Sequence, residues 1–564
     1  MKSLKLVIVI IIIHFSLFTF HSMAQYPARY FIQFTDKNND GYSLSNPSAF
    51  LSARSIARRT NQGIGYDSLD LPVTQTYVDA VAFFGDTILN VTKWLNGVTI
   101  QTSDSIILNT ILALPFVVNS TAVGRKKGPG KSLEENYFLK QESMLAATPI
   151  PVDNREKSIQ TLNYGASYFQ THLININYLH NLGYLGDGKV IAILDAGFLH
   201  ADTLAVFDSA RINNQILGTK NFVNDVSNNV YQDHEHGCMC LSCMASNIPG
   251  TMVGTAPHAS YWLFVTEDAN TENIIEEYNW ASGAELADSV GADIISTSLI
   301  YTTFDHADQN HTYADMNGRT TPASHAAIAA AEKGILVVAA NGNYAAQSWH
   351  YLGTPADADS ILSVGATDYL GNWASFSSVG PSSDGMVKPD VADMGLSSSI
   401  VDPNSGNIIQ GSGTSFATPT LAGAAACFWQ AHPTMTNMQI RAAIIESANQ
   451  YTHPDTLEGY GVPNFELANT IITNQNSAKI NQNISVLVYP NPFNNSVTII
   501  INGDVSSGST FAVYDLLGQR IKSIAVGNNK IIKLYKEQLA SGMYFYKLLT
   551  NQGETLSNGK FIIE

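Results

Sequence analysis

The pattern of apolar and polar positions divides the chain into segments of different texture. Lys2 and Lys5 precede an apolar run from Leu6 to Phe20, which Ser22-Met23-Ala24-Gln25 follows. The run is short for a membrane span, and small residues stand at the two positions a signal peptidase reads. Residues 1–24 therefore read as a secretory signal cut after Ala24, not as an anchor. Positions 30–34 alternate as a strand, 47–59 follow an amphipathic helical period, 78–84 and 98–101 read as strands, and 105–113 as a helix. That predicts a small α+β domain over 28–120. Residues 121–160 carry Gly128-Pro129-Gly130, Glu134-Glu135 and Pro149-Ile150-Pro151 and read as an exposed, cleavable linker.

Over 161–470 continuous apolar strands at 190–194, 259–265, 293–298, 335–340 and 361–366 alternate with helical patterns. Strands apolar on both faces and spaced by helices predict an α/β domain with a doubly wound parallel sheet, whose site lies beyond the carboxyl ends of the strands. A polar bridge at 471–484 leads to short strands at 485–489, 497–501, 510–514, 530–534 and 543–549. Gly503, Gly508, Gly518, Gly527 and Gly542 stand between and beside them, so 485–564 reads as a small β-sandwich.

At 564 residues the chain is too long for one core, and 45% hydrophobic with 14% charged residues describes globular domains. A net charge of -17 excludes the basic surface that nucleic acid or an anionic membrane requires. Four cysteines in a chain of this length do not make a disulfide framework. Cys238, Cys240 and Cys243 lie beside His234 and His236 and invite a zinc reading. One helix over 237–246 would spread the thiols around its circumference, so they read as small core residues, and no metal site is expected. Asp36, Asn38, Asp40 and Gly41 imitate the start of a calcium loop, but Pro47 stands where a bidentate glutamate is required, leaving a polar turn.

Three segments of the middle domain carry chemistry. The strand at 190–194 runs into Asp195-Ala196-Gly197, placing a carboxylate at the sheet's carboxyl edge. His236-Gly237 opens a helix after a polar loop. Gly411-Ser412-Gly413-Thr414-Ser415 leads into the apolar helix 421–430, with glycines that let the backbone turn and expose a hydroxyl. A serine needs a base to become a nucleophile, and the base needs an acid to fix its tautomer. Each piece alone is common; the order Asp, His, Ser in these local contexts is specific.

With those residues, Tyr164-Gly165-Ala166-Ser167, Gly254-Thr255-Ala256-Pro257, Ser377-Ser378-Val379-Gly380-Pro381 and Lys388-Pro389-Asp390-Val391, the middle domain resembles the subtilase family of serine peptidases. The resemblance implies hydrolysis of proteins or peptides through Asp195, His236 and Ser415, with no cofactor in the chemistry. It makes Asn343, in Val337-Val338-Ala339-Ala340-Asn341-Gly342-Asn343, the oxyanion donor, with Asn341 as the alternative. Ser298, Leu299, Ile300, Ala340, Asn341 and Gly342 would line the substrate cleft. Structural calcium is common in the family, but no ligand set is legible. Cys238 stands where the family has threonine, and Ile300 where it commonly has glycine. These departures keep a second reading open, a catalytically dead scaffold acting as an exported binding protein. A lipase of the α/β-hydrolase type would need Gly-x-Ser-x-Gly and the order Ser, acid, His, and neither is present.

By the same kind of resemblance, 28–120 is similar to the prodomain of Bacteroidetes-type subtilases, which assists folding and inhibits until removed. Tyr489-Pro490-Asn491-Pro492, the stretch 513–518, Ser541-Gly542-Met543-Tyr544 and Gly559-Lys560 resemble the sorting domain of type IX secretion cargo. The competing reading is an adhesive or sugar-binding sandwich. The expectation is an extracellular or cell-surface monomer whose partners are its substrates and the type IX machinery, with no transmembrane segment after maturation.

Overall fold

The computed structural model describes residues 28–38, 41–84, 87–125, 162–223, 227–478, 484–503, 505, 508–515, 519–527, 530–537, 539–551 and 555–564. The expected signal, Asp40 and the linker from 126 onward lie outside the described residues.

The N-terminal region forms β1 (Ala28–Phe34), α1 (Ala53–Gln62), α2 (Gln75–Ala82), β2 (Thr87–Thr92), β3 (Gly97–Thr102), α3 (Ser105–Leu112) and β4 (Val117–Arg125). Its antiparallel sheet has the order β2-β3-β1-β4. The expected helix at 47–59 is divided: Pro47–Ala49 is a single 3-10 turn, and α1 begins afresh at Ser52, whose side chain accepts from Ser55 N–H. The expected strand at 78–84 is instead part of α2. Tyr77, Val78 and Val81 recur at helical spacing and pack on a core holding Ile32, Phe34, Val98 and Ile100. β4 runs five residues past Ser120 because it pairs with the whole of β1, to Ala28 opposite Arg125.

The central region contains β5 (Val190–Asp195), β6 (Ile216–Asn221), α4 (His236–Ala245), β7 (Ser260–Val265), α5 (Ile275–Val290), β8 (Ile294–Thr297), α6 (Pro322–Glu332), β9 (Leu336–Ala340), β10 (Leu362–Thr367), β11 (Val391–Met394) and α7 (Thr414–Ala431). Seven parallel strands lie in the order β11-β10-β9-β8-β5-β7-β6. Side chains alternate across the sheet, so Val190, Ala192 and Leu194 pack under Trp280, Ala284 and Ala287 of α5 and Ala326 and Ala330 of α6. Helices α4 and α7 pack together and cover the other face. The N-terminal region docks on α5, where Phe31 and Val123 meet Ile275 and Tyr278.

The C-terminal unit has β12 (Ser485–Tyr489), β13 (Ser496–Asn502), β14 (Thr510–Tyr514), β15 (Arg520–Ala525), β16 (Ile531–Tyr535), β17 (Gly542–Leu549) and β18 (Thr555–Ile563). Sheets β12-β13-β16 and β15-β14-β17-β18 close on one core containing Val497, Ile499, Leu534, Phe511, Tyr546 and Phe561. This is the expected sandwich, with β15 and β18 in addition. No helix among the described residues is long and apolar enough to cross a membrane.

Candidate active site

Asp195 is the last residue of β5, at the carboxyl edge of the sheet, and is fully buried. Its Oδ1 accepts from the Ala196 N–H and lies 2.7 Å from His236 Nδ1. His236 is the first residue of α4 and also buried. Gly237 is required for this approach, since a Cβ there would lie 2.9 Å from Asp195 Cβ and 2.5 Å from the Gly197 carbonyl oxygen. His234 has a separate place: its Nδ1 accepts from the His236 backbone N–H at 3.2 Å.

Ser415 is the second residue of α7, and its Oγ donates to the Ser298 carbonyl at 3.4 Å. Two donors grip the Ser415 carbonyl, Ser298 Oγ at 2.9 Å and Cys240 Sγ at 3.4 Å. The strands that carry Asp195 and Ser298 are neighbours, with Thr297 opposite Leu194. Asn343 follows β9, and its Oδ1 accepts from both Thr414 N–H (2.9 Å) and Thr414 Oγ (3.0 Å). That fixes the amide with its oxygen turned back, while Nδ2, buried, meets no acceptor among the described residues. Asn341 differs: its Nδ2 is spent on the Ser378 carbonyl at 2.6 Å. Gly342, between them, adopts φ +108, a conformation that favours glycine.

The residues expected to line the cleft separate into two groups. Leu299 belongs to the central core with Trp280 and Ala326. Ile300 packs in a small cluster with Ala196, Tyr344, Leu352 and Ala356, and Ser298, Ala340, Asn341 and Gly342 are buried or adjoin it. Thr414, which positions Asn343, and Cys240, beneath His236, were not singled out from sequence. Only the Gly-Thr-Ser context hinted at the first, and nothing marked the second. The three thiols of α4 are buried, and burial pushes Cys240 up to about 12, far from the thiolate a metal requires.

Comparison with known proteins agrees with this geometry. Residues 186–461 match the model of the subtilase family, 29–136 that of the peptidase S8 propeptide domain of Bacteroidota, and 487–564 that of the secretion system C-terminal sorting domain. Subtilisin of Bacillus pumilus is 30% identical over 314 residues, covering 55% of this chain and 99% of the relative. Subtilisin NAT of Bacillus subtilis subsp. natto is also 30% identical over 314 residues, 55% of this chain and 71% of the relative. The thermostable alkaline protease of Halalkalibacterium halodurans is 31% identical over 319 residues, 55% of this chain and 74% of the relative. The sorting domain marks a secreted or cell-surface protein. With its S8 propeptide and a central domain similar along most of its length to subtilisins, the chain belongs to the subtilase family of serine endopeptidases.

Proposed function

We propose that Asp195, His236 and Ser415 act as the catalytic triad of an exported endopeptidase, with Asn343 as its oxyanion donor. The observation that carries this reading is the buried 2.7 Å contact of His236 Nδ1 with Asp195, beside an Asn343 Nδ2 held without an acceptor. Asp195 keeps the proton on Nδ1, leaving Nε2 to take the Ser415 hydroxyl proton as Oγ attacks the scissile carbonyl. The oxyanion forms against Asn343 Nδ2 and the Ser415 backbone N–H; removing one such donor costs about 3 kcal/mol in activation free energy. His236 returns the proton to the leaving amine, and water hydrolyses the acyl-enzyme by the same route.

Ile300 narrows the choice of substrate. Its side chain lies where Cβ atoms on Gly342 and Gly353 would fall 3.0 and 2.8 Å from it, filling space beside the nucleophile that these glycines leave. The residue preceding the cleaved bond is therefore small, glycine, alanine or serine. The test is labelling of the processed enzyme with a fluorophosphonate, followed by digestion of a peptide library. Label on Ser415, lost in Ser415→Ala, and cleavage after small residues are expected. Peptides with leucine or phenylalanine there should react about 10- to 100-fold more slowly, and Ile300→Gly should relieve this. An enzyme neither labelled nor active on any peptide overturns the triad; equal cleavage after phenylalanine overturns only the role of Ile300.

A further inference from the structure

Away from the triad, the chain leaving β7 and the start of α5 bring three carboxylates together. Glu267, Glu272 and Glu276 are all buried, and one oxygen of each lies within 4.8 Å of the others. The backbone between them is tied down. Glu276 Oε2 accepts from Asn273 N–H at 3.0 Å and its Oε1 from Thr271 Oγ at 3.3 Å, while Asp305 N–H donates to the Glu272 carbonyl at 2.8 Å. No lysine or arginine among the described residues forms an ion pair with Glu272 or Glu276. Burial and neighbouring carboxylates push both well above the usual range.

Two groups point to something missing from this arrangement. Glu272, 6% exposed, has an Oε2 that meets no donor among the described residues. The Tyr301 hydroxyl is 0% exposed and completes no hydrogen bond there. Burial, and then the charges of Glu267, Glu276 and Glu272, oppose its ionisation, which places it among the same three side chains. Buried polar atoms are normally satisfied, and a dry cluster of carboxylates is normally neutralised.

We propose that Glu267, Glu272 and Glu276 bind one Ca2+ ion. The donors are oxygens only, which selects a hard cation over zinc or copper. A buried, multi-carboxylate setting suits calcium better than magnesium, which keeps several waters and demands a strict octahedron. The ion fastens the segment 267–276 to the first turn of α5, the helix on which the N-terminal region packs. Through Tyr301 it also steadies the residue after Ile300 in the cleft wall.

The test uses the full chain carrying Ser415→Ala, freed of metal with a chelator and titrated with calcium chloride or with Tb3+, whose emission is read on exciting the aromatic side chains. One bound calcium per chain is expected at this site. Glu272→Gln and Glu276→Gln should each weaken it by about tenfold or more, since charged ligands set calcium affinity. Tyr301→Phe leaves all three carboxylates in place; it should retain calcium but lose much of the sensitised Tb3+ emission, which keeps the test sound should a glutamate variant fail to fold. Absence of calcium binding, affinity unchanged in both glutamate variants, or Tb3+ emission indifferent to Tyr301 would each overturn the assignment.

Discussion

Replacing Asp288 with asparagine should release the N-terminal domain from the enzyme while leaving catalysis intact. Asp288, on α5, is fully buried and receives Arg58 at 2.5 Å, Arg59 at 2.7 Å and Lys93 at 3.1 Å, all from the N-terminal domain. Burial alone would raise its carboxyl, but Lys93, Arg58 and Arg59 together hold it below the ordinary range. The arginines also serve backbone: Arg58 Nη1 donates to the Ala292 carbonyl at 2.6 Å and its Nε to the Lys333 carbonyl at 3.2 Å, beyond the ends of α5 and α6. Removing one partner of a buried pair costs about 3–5 kcal/mol because the other charge is left dry and uncompensated. Arg59 keeps Asp70, at 2.6 Å, so the lower figure applies. At ~1.4 kcal/mol per decade, ~3 kcal/mol is a loss of about a hundredfold in affinity. The assay is the inhibition constant of the domain, residues 28–125, added in trans to processed wild-type and Asp288→Asn enzymes. Less than about a threefold change would show that the buried charges contribute nothing net to docking, which measured buried pairs allow. A parallel fall in kcat/KM would show instead that Asp288 supports the fold of the enzyme.

Glu285 makes docking depend on pH. It accepts from the Lys93 and Trp94 N–H groups at 2.8 and 2.9 Å, and burial raises it from 4.5 to about 7 against the pull of Lys93 and Lys37. A carboxyl raised in the docked state contributes most below 4.5 and loses that contribution as pH climbs through 7, so inhibition should weaken across this window and Glu285→Gln should flatten the profile. His236→Ala should abolish measurable turnover, since base and nucleophile act as a unit. His234→Ala, losing one hydrogen bond to the His236 N–H, should cost about 1 kcal/mol of stability and keep most of the rate; the reverse outcome on one peptide substrate would exchange their roles. Deleting 485–564 should leave an active enzyme that no longer crosses the outer membrane; normal extracellular yield from the native host would refute the sorting role.

Much of this architecture was legible because burial on both faces of a parallel strand leaves a continuous apolar run, as in β5 and β9. The edge strands gave no such run. β6 carries Gly218, Thr219 and Lys220, half-buried, and β11 carries Asp393. In α2 the short apolar stretch had no length to separate a period of two from one of 3.6, and packing against Phe34 and Phe116 decided it. The docking face escaped notice for another reason. Arg54, Arg58 and Arg59 look like the solvated face of an amphipathic helix, and only the partner surface reveals that Arg58 and Arg59 are buried. Glu267, Glu272 and Glu276 likewise follow no known ligand spacing, since they converge through the turn between β7 and α5.

The arginine-rich face of α1 has a further consequence once the domain is cut away. Arg54, Arg58, Arg59 and Lys93 leave together, and Glu285, Asp288 and Asp293, which they touched or neutralised, are left on one hydrated surface. Like charges at that spacing repel until counterions gather, within a screening length of ~10 Å at 0.1 M salt. The precursor carries its own neutralising charge at this face, whereas the mature enzyme takes it from the medium. Maturation thus converts a structure largely indifferent to ionic strength there into one that added salt stabilises.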